Sequence, residues 1–106
     1  MRPRKVGDTG YPITATLYTN GVARDLTGST VVIYMRNRTT RAIKINGSGV
    51  TVVTPTAGTV SYQPSAGDVD TEGVYDLEFR ETTATGKVNH FPSDGFEPLR
   101  LEAPIG

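Results

Sequence analysis

Short runs of alternating apolar and polar residues recur along the chain, and turn residues separate them. In residues 74–82, Tyr75, Leu77 and Phe79 alternate with polar or charged side chains, so this run predicts a strand with one apolar face. Residues 30–37 have the same period of two, with Val31, Ile33 and Met35 on one face. We expect these two apolar faces to contribute to one core.

The remaining runs predict a β-rich chain. Residues 11–19 alternate, and Asn20-Gly21 then predicts a two-residue hairpin turn. Shorter runs predict strands at 22–24, 42–45, 50–54, 59–63, 87–91 and about 96–101. Turn residues separate them at 25–29, 38–41, 46–49, 55–58, 64–73 and 84–86.

The number and spacing of the strands favour an all-β fold, an immunoglobulin-like antiparallel β-sandwich of seven to nine strands. A chain of 106 residues suffices for one domain, with residues 1–8 and 103–106 expected as extended arms. Tyr75 stands at the start of a late strand. In such sandwiches a tyrosine there donates its hydroxyl to the preceding corner. A plain core tyrosine is the alternative.

Composition narrows the classes of function. The net charge is zero, which argues against a dedicated nucleic-acid binder. The charge is unevenly placed, however: residues 1–44 carry eight basic and two acidic side chains, and residues 45–106 carry three basic and nine acidic ones. The chain has no cysteine, so disulfides and thiol chemistry are excluded. No apolar run is long enough for a membrane span or a signal peptide, so we expect a soluble protein.

The stretch HFPSDGF, residues 90–96, contains the histidine, serine and aspartate types of a hydrolytic triad. His90 and Asp94 lie on either side of a proline turn, and neither a nucleophile elbow nor a glycine-rich oxyanion loop is present. Pro92-Ser93-Asp94-Gly95 has the residue types of a β-turn. We therefore interpret the stretch as a bend between strands and expect no catalytic residue in the chain.

Asp68, Asp70 and Glu72, followed by Gly73, match the first half of a calcium-binding loop. The twelfth position, which should be a bidentate glutamate, is Phe79. A loop closed by Asp and Gly turn chemistry is the favoured interpretation, with a divalent cation site at the three carboxylates as the alternative. We expect neither metal nor cofactor.

Four cations occur between Arg36 and Lys44 without an intervening acid, namely Arg36, Arg38, Arg41 and Lys44. We call residues 36–44 the basic segment. In the favoured interpretation its cations are solvated or pair with Asp76 and Glu78 of a neighbouring strand. A contact with a partner protein is the second possibility, and nucleic acid the third, since arginine binds phosphate and tyrosine stacks on bases.

The acidic residues between 68 and 81 could pair with this segment in two ways. If the two runs lie on opposite edges, copies could meet head to tail, as in rings and lattices. If they lie on neighbouring elements, they neutralise each other within one subunit.

Five stretches occur in order: GDT at 7–9, DLTGSTV at 25–31, AGTVSY at 57–62, AGDVDTEGVY at 66–75 and FPSDG at 91–95. Together they resemble the immunoglobulin-like N-terminal domain of phage baseplate upper proteins, whose small stand-alone relatives are encoded among tail and head structural genes. The likeness runs from about residue 7 to about residue 101, departing at Gln63-Pro64, where an aromatic and a polar residue are expected.

The resemblance implies a non-enzymatic structural protein of a tailed-phage virion, made in the host bacterial cytoplasm. It would serve in capsid decoration, in the neck or in the baseplate. Its partners would be other virion proteins, met in multiple copies through exposed strand edges and loop ends.

The alternative is a carbohydrate-binding or host-surface-binding sandwich. In that case Tyr11, Tyr18, Tyr34 and Tyr62 would supply aromatic platforms, although the chain has no tryptophan.

Overall fold

The computed structural model describes residues 4–91 and 99–103, most of which lie in β-strands. The all-β class predicted from the sequence is confirmed. The strands are β1 (Arg4–Lys5), β2 (Ile13–Thr16), β3 (Tyr18–Thr19), β4 (Val22–Ala23), β5 (Thr30–Asn37), β6 (Ile43–Gly49), β7 (Thr51–Thr54), β8 (Thr59–Tyr62), β9 (Gly73–Thr82), β10 (Val88–Phe91) and β11 (Leu99–Glu102).

Two short 3₁₀ turns, Pro55–Ala57 and Ala66–Val69, flank β8. Within the described ranges, no helix has the length and hydropathy needed to cross a membrane.

The larger sheet is built around β9, its longest strand. One side of β9 pairs antiparallel with β5 over residues 75–82, and β5 pairs in turn with β6. The other side is shared end to end: β11 pairs with the first half of β9 and β10 with the second half. β1 then pairs with β11 in parallel at the far edge.

The smaller sheet has the order β2-β8-β7, and both of its pairings are antiparallel. β3 and β4 form a separate hairpin across Asn20-Gly21, whose φ angles of 53° and 77° are both positive, as a type I′ turn requires. The hairpin predicted from this dipeptide is therefore confirmed.

One apolar core contains residues of both sheets, so the architecture is sandwich-like. Alternation along β9 buries Tyr75, Leu77 and Phe79 as predicted. Leu77 lies beside Met35 and Phe79 beside Ile33 on β5. The core residues are Ile13, Leu17, Leu26, Val31, Ile33, Met35, Ile45, Val60, Val69, Tyr75, Leu77, Phe79, Phe91, Leu99 and Leu101.

The tyrosine-corner prediction is also confirmed. The Tyr75 hydroxyl donates a hydrogen bond of 2.9 Å to the backbone oxygen of Thr71. Because the ring is almost completely buried, this bond satisfies a hydroxyl that would otherwise lack a partner in the core.

Two predictions from the sequence are wrong. Residues 46–49 are not a turn, because β6 continues through them and pairs with β5 despite two register irregularities. Residues 4–8 are not an extended arm, because β1 joins the sheet and Arg4 is 1% exposed. Its guanidinium donates a hydrogen bond of 2.7 Å to the backbone oxygen of Tyr11 and lies 3.9 Å from the centre of the Tyr11 ring. Residues 104–106 of the predicted C-terminal arm lie outside the described residues.

Candidate interaction surface

A groove of about 310 Å³ lies on the solvent-facing side of the larger sheet. We call it the outer groove. β5, β6, β9 and β10 contribute its lining, because residues facing each other across antiparallel strands project from the same side of a sheet. The lining residues are Tyr34, Arg36, Ile43, Asp76, Glu78 and His90, together with Leu77, whose side chain is buried in the core.

The outer groove combines apolar surface with charged side chains. Ile43 is 56% exposed. Val88, which lies on the same face of β10 as His90, is 50% exposed. The guanidinium of Arg80 lies 5.5 Å from the centre of the Tyr34 ring. Within the described part of the chain, the buried Nε atoms of Arg36 and Arg80 have no hydrogen-bond partner. Such a surface suits a partner that offers apolar side chains.

The basic segment lies beside the acids and does not face away from them. Nε and one terminal nitrogen of Arg38 donate to Oδ1 of Asp76 at 3.1 and 2.6 Å. Lys44 pairs with Asp70. The predicted pairing of this segment with β9 is confirmed at Asp76, whereas Glu78 lies opposite Tyr34 in the register.

The other two cations of the basic segment, which were considered for a contact with a partner protein, occupy different positions. Arg36 lines the outer groove, and Arg41 is exposed at the turn after β5 with a positive φ of 66°. The Asn37 side chain shapes this turn by accepting the backbone N–H groups of Thr39 and Thr40, both at 2.9 Å. The basic and acidic runs are therefore partly neutralised within one subunit, which is the second of the two arrangements considered from the sequence.

The three acidic residues of the loop before β9 have different environments. No cluster of three metal-binding side chains occurs in the described ranges, so the structure does not bring Asp68, Asp70 and Glu72 together as one candidate site. Asp68 accepts the Tyr62 hydroxyl at 2.5 Å and the Ser65 backbone N–H at 2.9 Å. The hydrogen bond from Lys44 lowers the pKa of Asp70. Glu72 is exposed.

His90 is exposed on β10, opposite Arg80, and lines the outer groove. Two carboxylates line the groove with it, and one of them, Asp76, is already held by Arg38. Ser93 and Asp94 lie outside the described residues, so the predicted bend stays a prediction.

Glu81 belongs to the acidic run by sequence but is completely buried. Its carboxylate accepts the Nε–H of Arg24 at 3.0 Å, the hydroxyl of Ser29 at 2.6 Å and the Asn89 amide at 3.2 Å. Two segments of the chain, the connection between β4 and β5 and strand β10, are thereby tied to β9. The signal for this burial is present in the sequence, because position 81 continues the inward series 75, 77 and 79.

The four tyrosines proposed as sugar platforms are dispersed. Tyr11 is covered by Arg4, Tyr62 bonds to Asp68, and Tyr34 is half-buried beside Arg80. Tyr18, on the β3–β4 hairpin, is 57% exposed.

No protein-family model, no curated protein and no solved structure matches this chain.

Proposed function

We propose that the chain is an immunoglobulin-like module that serves as a non-enzymatic structural protein of a tailed-phage virion. It docks on other virion proteins through the outer groove. The groove carries this proposal, since exposed apolar side chains lie there beside charged ones, a combination suited to protein contacts.

The strand order supports the immunoglobulin-like part of the proposal. In that fold a sheet of the B, E and D strands faces a sheet containing C, F and G. With β2, β8 and β7 as B, E and D, and with β5 and β9 as C and F, the observed pairings follow this scheme. β10 and β11 then take the place of a G strand divided in two, and the hydroxyl bond of Tyr75 falls at the expected corner between E and F.

The stretches behind the phage resemblance perform structural tasks in this fold. In AGTVSY, Gly58 has a φ of 67°, and a side chain there would meet the backbone oxygens of Arg24 and Leu17 at 2.7 and 2.8 Å. In DLTGSTV, Asp25 accepts the backbone N–H of Thr27 at 3.0 Å and Leu26 is buried. AGDVDTEGVY forms a 3₁₀ turn and the tyrosine corner. These tasks agree with a resemblance based on fold-defining turns.

The decisive measurement is mass spectrometry of purified particles of the phage that encodes the chain. We expect the chain as a stoichiometric component that remains after washing. Its absence from intact particles would refute the virion role, whereas specific retention of one glycan on an array would favour the carbohydrate-binding alternative.

A matched pair of variants tests the groove separately. Ile43→Asp places a charge in it, and Val22→Asp places the same charge on the β3–β4 hairpin, at a valine that is 68% exposed. A loss of about 1.4 kcal/mol of binding free energy lowers affinity roughly tenfold. We expect such a loss of incorporation for Ile43→Asp and none for Val22→Asp. Equal incorporation of both variants would exclude the outer groove as the docking surface.

A further inference from the structure

Two asparagine–glycine steps occur in the sequence, and the fold places them in different surroundings. Asn20-Gly21 forms the tip of the β3–β4 hairpin, whereas Asn46-Gly47 lies inside β6. Asparagine followed by glycine is prone to spontaneous deamidation, because glycine has no side chain to hinder attack by its backbone nitrogen. The two steps therefore share one chemistry and differ in the structure around them.

The reaction is an intramolecular substitution that needs only water. The backbone nitrogen of Gly21 attacks Cγ of Asn20, and the new N–C bond closes a succinimide ring. The Cγ–Nδ2 bond breaks, and ammonia leaves with the proton of the Gly21 N–H. Water then opens the ring at Cγ to give aspartate, or at the backbone carbonyl to give isoaspartate, in which the main chain runs through Cβ and Cγ.

The hairpin tip leaves the reacting groups free. Asn20 and Gly21 are exposed, and within the described part of the chain no hydrogen bond holds the Asn20 side chain or the Gly21 N–H. The hairpin has only two register pairs and forms a sheet of its own. Because an isolated two-stranded hairpin is marginally stable, its tip opens at a low free energy and the Gly21 nitrogen can then reach Cγ.

The second step is held by its sheet. Asn46 lies opposite Tyr34, and a side chain added at Gly47 would meet the Tyr34 hydroxyl at 3.3 Å. β6 pairs with β5 at five register positions, and β5 pairs on its other side with β9. The Gly47 nitrogen reaches Cγ of Asn46 only when this part of β6 opens, which costs more free energy than opening a hairpin tip.

We propose that Asn20 is a site of spontaneous deamidation in the folded protein, and that the structure protects Asn46 from the same reaction. The two products affect the hairpin differently. Aspartate–glycine is also a favoured type I′ turn, so the aspartate form keeps the hairpin. Isoaspartate adds a backbone carbon to a two-residue turn that fixes the register, so Thr19 and Val22 lose their pairing. Either product places a carboxylate in residues 9–23, which otherwise carry no charge.

The test is peptide mapping by mass spectrometry of the purified full chain, sampled during incubation at mildly alkaline pH in water enriched in heavy oxygen. Each site is scored by loss of ammonia and uptake of labelled oxygen. In the folded chain we expect Asn20 to react at least about tenfold faster than Asn46, which corresponds to a difference in opening free energy of about 1.4 kcal/mol. The chain unfolded in urea is the matched control. Both asparagines precede glycine, so their rates should then be similar.

A second measurement tests the consequence for the hairpin. Ion exchange separates the aged protein, electron-based fragmentation distinguishes isoaspartate from aspartate, and amide chemical shifts are recorded for each form. The isoaspartate form should lose the shifts typical of paired Thr19 and Val22, and the aspartate form should retain them. Asn20→Gln should stay unmodified at this position over the same period, because glutamine closes the corresponding ring far more slowly.

Three results would overturn the proposal: equal rates at Asn20 and Asn46 in the folded chain, no reaction at Asn20 while the unfolded chain reacts, or an isoaspartate form with an intact hairpin. The proposal goes beyond the virion role and does not depend on it, because deamidation is read in purified protein and the virion role in particles.

Discussion

Replacing Glu81 by alanine should destabilise the protein by about 3 kcal/mol. The carboxylate is completely buried and accepts hydrogen bonds from Arg24, Ser29 and Asn89. Breaking a buried ion pair by removing one partner costs about 3–5 kcal/mol, because a charge is left without compensation. The Arg24 side chain is 33% exposed and can turn toward water, so we expect the lower end of that range.

Glu81→Gln is the matched control, because it preserves the shape and one carbonyl acceptor while removing the charge. It should cost about 1–2 kcal/mol, close to the net value of one or two hydrogen bonds. Urea unfolding followed by circular dichroism measures both variants, and similar denaturant slopes would show that unfolding remains comparable. In thermal scans, a destabilisation of about 3 kcal/mol corresponds to a fall in the melting temperature of roughly 12–24 °C for a domain of this size.

A double-mutant cycle with Arg24→Ala isolates the ion pair. We expect a coupling energy of at least about 1 kcal/mol, because the two side chains are in direct contact. If Glu81→Ala unfolds within about 0.5 kcal/mol of the parent, as a substitution at an ordinary surface site would, the buried network does not stabilise the fold and the reasoning is refuted.

Three further predictions concern the sheets. Leu77→Ala should lower the free energy of unfolding by about 2–5 kcal/mol and Glu78→Ala by less than about 0.5 kcal/mol, and the reverse order in urea titrations would contradict the register. Tyr75→Phe should cost about 1 kcal/mol, seen as faster amide exchange around the corner. Burial raises the pKa of Tyr62 above its ordinary value of 10.0. The contribution of the Tyr62 hydroxyl to stability is therefore present below pH 10.0 and is lost as pH rises through the folded-state pKa. Titration of Tyr62 followed by ultraviolet absorbance should show a midpoint above 10.0, and a midpoint at 10.0 would contradict this.

Local patterns were sufficient to predict the all-β fold and several of its strands. Alternation in residues 74–82 is a property of the strand itself, and the Asn20-Gly21 turn depends on two adjacent residues. The turn predicted for residues 46–49 was wrong because the local sequence Asn-Gly-Ser-Gly favours a turn, whereas pairing with β5 keeps these residues in a strand. Long-range contacts overrode the local preference there.

The candidate surface was less predictable. Pairing of Arg38 with Asp76 could be anticipated, because Arg38 directly follows a strand that was expected to be a neighbour of the strand containing Asp76. Pairing of Lys44 with Asp70 depends on how the loop before β9 folds back, and the local sequence does not encode this. Nor does any periodicity indicate that Arg4 is buried, since its environment comes from Tyr11 and the far end of the chain.

The pairing of β1 with β11 has a consequence for the order of folding events. Lys5 and Glu102, joined by an ion pair of 3.0 Å, are 97 positions apart, so this pairing closes a loop of nearly the whole chain. Closing this loop costs chain entropy. Only after the loop has closed can two register pairs and the contacts of Arg4 offset that cost. β1 should therefore dock after the rate-limiting barrier. Weakening it should speed unfolding and leave the folding rate nearly unchanged, so this edge should contribute to the lifetime of the native state.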